Sequence, residues 1–180
     1  MGNRLEQLIK DKKSAILESW MDAAVNSYAP DAAVFIKGQK DPFSNPVGGA
    51  TLKGLQGLLE QLTQGMDPKT ITSHLDPIIR IRAVQDFTPS QATAFILTLK
   101  SVLIHTFKKE LQDSQVCHEF LAFESKIDQL SLLAFDIFMQ CKEKIYQIKA
   151  NETRSRTFRA FERAGLIAKD AIQTSPDTKP

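Results

Sequence analysis

The sequence is short of the residues from which chemistry is usually read. It holds two cysteines, Cys117 and Cys141, in 180 residues. On one continuous helix, at about 1.5 Å of rise per residue, they stand roughly 36 Å apart, far beyond disulfide reach. Unpaired, buried or half-buried thiols and a reducing, cytoplasmic compartment follow. The three histidines, His74, His105 and His118, are scattered; no two share the i, i+4 spacing of a helical metal site, and HExxH, CxxC and CxxCH are absent. GxGxxG and GxxxxGK[ST] are absent too, which removes the common phosphate-binding loops. No spacing assembles a nucleophile with a base, so the chain reads as a non-enzyme without cofactor or metal.

Charge of one sign is also scarce. Lys and Arg number 23 against 21 Asp and Glu, a net charge of +2, which gives no electrostatic footprint for nucleic acid. No apolar run approaches the roughly 20 residues that span a bilayer. The start, MGNRLEQLIKDKK, has no apolar segment of a leader, and Glu6 stands where a myristoylation motif wants Ser or Thr.

What is present is helical periodicity. The chain is organised around Ile78 to Phe107, two amphipathic segments hinged at Asp86-Phe87-Thr88-Pro89. Thr88 is a good N-cap, and Pro89 suits the first helical position. Beyond it Ala92, Phe95, Ile96, Leu99, Val102, Leu103, Thr106 and Phe107 recur at threes and fours, one broad apolar stripe; His105 falls opposite it and should face solvent. Asn3 caps a first short helix; Ser14 offers a cap for a longer one containing Ile16, Leu17, Trp20, Ala24 and Tyr28. PDAAVFIKG is a further turn or two ending at Gly38. The next helix begins near Ala50 or Thr51, where Gly54 and Gly57 suggest a close crossing. Asp67-Pro68 opens another, and Leu75-Asp76-Pro77 reads as a break with Asp76 capping the segment after it. Asp113 or Ser114 caps the last element. In it Val116, Phe120, Phe123, Ile127, Leu130, Ala134, Ile137 and Cys141 step 4-3-4-3-4-3-4, a heptad seam. Leu121, Leu132, Leu133, Phe135 and Phe138 lie off the seam, so two faces are apolar: one for the domain, one for a second copy. No β pattern occurs; the chain is all-α.

The irregular loop Gln39–Gly49, with Asp41, Pro42, Phe43 and Asn45, is either a packing plug or part of a binding surface. Arg80 and Arg82 are flanked by isoleucines, so at least one needs a buried carboxylate or carbonyl partner, with Asp41, Asp76 and Asp86 as candidates. An internal salt bridge is the plain reading; recognition of a small anion is the sharper one. Beyond Ala150 the chain turns basic, with Arg154, Arg156, Arg159 and Arg163 around Phe158 and Phe161, diluted by Glu152 and Glu162. That is a solvated face leading to a partner rather than a nucleic-acid grip.

The segments KDPFSNPVG (Lys40 to Gly48), IIRIRAVQDFTPSQA (Ile78 to Ala92) and IYQIKANETRSRTF (Ile145 to Phe158) resemble the RsbRD-type amino-terminal domain of RsbR-like stressosome co-antagonists, and AILESWMDAAVNSY is similar too. The resemblance covers roughly residues 14 to 160. It implies a globin-like helical bundle with a long carboxy-terminal helix that binds no haem and dimerises, acting as a sensory module of bacterial signalling whose last helix leads to an output domain. Here no STAS segment follows within the 180 residues, so the expectation is a module standing alone and acting through an unknown protein partner. The expected organisation is a sensor domain over 1–150, a basic helical extension over 151–172 and a disordered tail over 173–180. Its expected regulatory or ligand surface is Asp41, Pro42, Phe43, Asn45, Arg80, Arg82 and Asp86; its expected dimer face is Phe120, Phe123, Ile127, Leu130 and Ile137. A haem- or tetrapyrrole-binding sensor and an accessory subunit of a cytoplasmic enzyme complex are the alternatives.

Overall fold

Three helices begin with the same dipeptide logic, a capping side chain followed by proline. The computed structural model describes residues 3–38 and 44–166, which divide between two compact units, Met1–Lys142 and Glu143–Pro180. The first holds α1 (Arg4–Asp11), α2 (Lys13–Val25), α3 (Pro30–Gly38), α4 (Pro46–Gln64), α5 (Pro68–Val84) and α6 (Pro89–Thr106), and α7 (Ser114–Arg163) runs from it into the second. No strand occurs among the described residues; the fold is all-α. Asn45, Asp67 and Thr88 cap α4, α5 and α6, each accepting from a backbone N–H three residues on, with proline next in the chain. At α6 the box is reciprocal, because the Gln91 side chain accepts from the Thr88 N–H at 3.0 Å.

Several expectations change. α4 starts at Pro46, not near Ala50: Asn45 is a buried cap whose side chain accepts from the Gly48 N–H at 2.8 Å and donates to the Ile36 carbonyl at 2.7 Å. A Cβ on Gly48 would collide with the Asn45 side chain, so glycine there serves close approach. Ser14 is not a cap; α2 follows α1 after Lys12 alone, without a side-chain cap. α5 passes through Pro77 unbroken. Leu75, Ile78 and Ile79 are all buried on its inner face, and that shared burial outweighs the lost donor. Asp76 is thus mid-helix.

Trp20 of α2 is fully buried and donates from Nε1 to the Phe95 carbonyl of α6 at 2.7 Å. α2 packs on α6 and α4, and α4 packs most extensively on α5. That last crossing is as close as Gly54 and Gly57 suggested. A Cβ on Gly54 would lie 2.8 Å from the His74 carbonyl, and the His74 ring occupies the space beside Gly57. Six residues of the α6 stripe, Ala92, Phe95, Ile96, Leu99, Leu103 and Phe107, are buried.

The heptad seam of α7 is buried from Val116 through Ile137. Its flanks tie it to the body of the first unit. Glu119 accepts from the Leu5 N–H of α1 at 2.8 Å, Lys126 donates to the Leu62 carbonyl at the end of α4 at 3.1 Å, and Lys100 of α6 pairs with Asp128 at 2.8 Å. In the second unit the rest of α7 presents exposed side chains, among them Tyr146, Ile148, Phe158 and Phe161.

Candidate functional site

The α5–α6 corner brings the two candidate arginines to opposite fates. On a helix, residues two apart point in different directions. Arg80 faces outward and is held by Asp76 one turn back, Nε to Oδ2 at 2.5 Å; that carboxylate raises its pKa. Arg82 faces inward and is fully buried. Among the described residues the expected salt bridge therefore exists for Arg80 alone, at the surface, where such a pair contributes little.

Among the described residues Arg82 meets carbonyls and rings instead of a carboxylate. Its Nη2 donates to the Ala24 carbonyl at 3.1 Å, and Nη1 is shared between the Gln91 and Ala92 carbonyls at 3.3 Å each. Ala24 lies in the last turn of α2, where the helix dipole is negative. The guanidinium carbon stands 4.5 Å from the Phe95 ring centroid, 5.0 Å from that of Tyr28 and 5.3 Å from that of Phe87. Phe87 meets Tyr28 edge-on at 5.1 Å. Burial lowers the Arg82 pKa, and the adjoining Tyr28 hydroxyl works the other way. Arg82 Nε and the Tyr28 hydroxyl are buried; the hydroxyl lies within hydrogen-bonding reach of the guanidinium, and neither atom has another partner among the described residues. Tyr28 also belongs to a small apolar cluster with Val25, Ala33 and Ile36, against which Met21, Val47 and Phe87 pack. Met21, Val25 and Ile36 form the floor of an open groove of about 510 Å³ between α2, α3 and α4.

Of the expected regulatory surface, Asp41, Pro42 and Phe43 lie outside the described residues. Asn45 is a buried cap, and Asp86 is exposed and pairs with neither arginine. Sequence reasoning expected at least one of Arg80 and Arg82 to need a buried partner, without saying which, and it missed the cage because the rings come from residues 28, 87 and 95; the one available signal was an arginine set among isoleucines beside a phenylalanine turn.

The expected dimer face is corrected. Phe120, Phe123, Ile127, Leu130 and Ile137 are at most 6% exposed, so the seam packs on the chain's own body. The opposite face of α7 stays open: Leu121, Leu132, Phe135 and Met139 are 57, 68, 42 and 45% exposed. Spacings of eleven, three and four put these four on one side of a helix.

A tetrapyrrole needs an inward imidazole beside an open slot. His105 and His118 are exposed, and His74 is pressed against Gly57 where α4 and α5 are in closest contact, so these residues do not fit one. No group of three His, Cys, Asp or Glu side chains among the described residues could hold a metal ion. Cys117 is exposed, against expectation, and Cys141 half-buried; no disulfide joins them. No helix among the described residues is long and apolar enough to cross a membrane.

The family described as the RsbT co-antagonist protein rsbRD N-terminal domain matches residues 14–153. The chain belongs to this family. The matched span takes in every helix from α2 to α6 and most of α7, and so contains both the caged arginine and the open face of α7. No curated protein and no solved structure matches the chain.

Proposed function

We propose that this rsbRD N-terminal domain is a non-catalytic sensory or regulatory module of bacterial cytoplasmic signalling, with a globin-like arrangement of helices, which acts through self-association and contacts to a protein partner. The carrying observation is the open apolar face of α7. Four large side chains exposed along one helix cost solvation in an isolated copy and mark a protein contact. A second copy of the same face closes it two-fold, helix on helix. The corner at Arg82 and Phe87 sits on the α6 helix that Lys100 ties to α7, so a change there reaches the self-association face through packed elements. Residues 154–163, with arginines and Phe158 and Phe161 exposed, are the surface offered to the output partner.

Sedimentation velocity at micromolar concentration tests this reading. The wild type sediments as a dimer, and the double variant Leu132→Glu, Phe135→Glu sediments as a monomer with an unchanged helical circular dichroism spectrum. A monomeric wild type at tens of micromolar refutes the dimer.

A further inference from the structure

A proline inside a helix takes the donor away from the carbonyl four residues back. In α5 that carbonyl belongs to Ser73, because Pro77 has no N–H to give it. Both residues line a recess of about 270 Å³ between α4 and α5, together with Ala50, Lys53, Gly54 and His74. Two of the α4 residues there are alanine and glycine, so the recess is space that larger side chains would fill. Among the described residues neither the Lys53 ammonium nor the His74 imidazole has a hydrogen-bond or ionic partner. No carboxylate lines the recess, and Asp76, beside Pro77 in the chain, is held by Arg80. An ammonium, an imidazole and a carbonyl without its helical donor therefore share one small space.

We propose that the α4–α5 recess binds a short 2-hydroxy monocarboxylate, its carboxylate on Lys53 and His74 and its hydroxyl donating to the Ser73 carbonyl. Charge selects the first half of the ligand. Lys53 is cationic and the imidazole offers an N–H in either tautomer, so the two oxygens of a carboxylate divide between them. The Ser73 carbonyl selects the second half, since it can only accept. Its donor is a neutral hydroxyl, because a 2-ammonium group would stand near Lys53 with no lining carboxylate to offset the repulsion. The volume falls under the roughly 300–1,000 Å³ of drug-sized sites, which limits the remainder to a methyl or ethyl group against Ala50 and Pro77. Once occupied, the recess ties α4 to α5 beside the close approach of Gly54 to the His74 carbonyl. Such binding needs neither a second copy nor the open face of α7.

The test titrates the full chain with lactate, propionate and alanine at constant ionic strength and neutral pH, followed in amide proton–nitrogen correlation spectra. Lactate shifts the amides of Lys53, Gly54, Ser73 and His74 and saturates. Propionate, which lacks the hydroxyl, binds about five- to tenfold more weakly, the effect of one neutral hydrogen bond, and alanine does not compete. Lys53→Met changes an exposed residue, leaves the fold intact and weakens lactate binding about tenfold or more. Pro77→Ala gives the Ser73 carbonyl its helical donor back. It folds, because alanine suits a helix interior better than proline, and it binds lactate and propionate alike. No saturable shift up to tens of millimolar lactate, shifts centred away from the recess, equal affinities for lactate and propionate in the wild type, undiminished binding by Lys53→Met, or a Pro77→Ala chain that keeps the preference would each overturn the proposal.

Discussion

A guanidinium that meets three carbonyls and three rings is held by shape as much as by charge. The two contributions separate by substitution. Arg82→Ala removes the side chain that Tyr28, Phe87 and Phe95 enclose, and cavity formation of that size costs about 3–5 kcal/mol. Arg82→Met refills most of the volume and removes the desolvated charge, so it stays within about 1.5 kcal/mol of wild type. Equilibrium unfolding in urea compares them; equal losses would show that the polar contacts dominate. Asn45 is the second residue with an outsized role, since one side chain caps α4 and holds the Ile36 carbonyl of α3. Asn45→Ala loses both bonds and costs about 1–2 kcal/mol, measurable in the same titration.

At the scale of elements, the α4–α5 crossing depends on absent atoms. Gly54→Ala gains about 1 kcal/mol of helix propensity but sets a methyl against the His74 carbonyl, which is backbone and yields only if the helices part. The balance is destabilising by about 1–2 kcal/mol, whereas Gly38→Ala, with nothing within 4 Å, leaves thermal stability almost unchanged. Carboxylates at helix starts set the acid limit. The Thr70 hydroxyl and N–H depress the Asp67 pKa, the N–H groups of Val116 and Gln115 that of Asp113, and the Leu5 N–H that of Glu119. A folded pKa below the unfolded one means the unfolded chain binds protons more readily, so the stabilisation is complete above the ordinary carboxylate range and is lost as pH falls through it. Melting temperature therefore drops below about pH 4.5, the ordinary value for Glu119, and Glu119→Gln shows a shallower drop. How legible an element was depended on how local its cause is. Thr88-Pro89 was readable because cap and proline act within one turn. The start of α4 was missed because Asn45-Pro46 is the same signal inside a loop that looked irregular, and the continuity of α5 was missed because only tertiary burial of Ile78 and Ile79 carries a helix past Pro77.

For the whole molecule, the α7 seam was legible as apolar but not as to what it faces, since periodicity gives a stripe and no partner. Burial assigns the seam to the chain's own body and leaves Leu121, Leu132, Phe135 and Met139 outward. If association through that face accompanies folding, stability depends on concentration. Tenfold dilution lowers the melting temperature of the wild type and leaves that of the Leu132→Glu, Phe135→Glu variant unmoved.

The bond between the Leu5 N–H and Glu119 joins positions 114 residues apart. At 5–20 residues per second, the ribosome emits Glu119 roughly 6–23 seconds after Leu5. Until then the Leu5 N–H, one of the donors that open α1, lacks this acceptor, and a helix of eight residues is too short to hold on its own. The amino-terminal end therefore gains this bond only once the start of the last helix has been made.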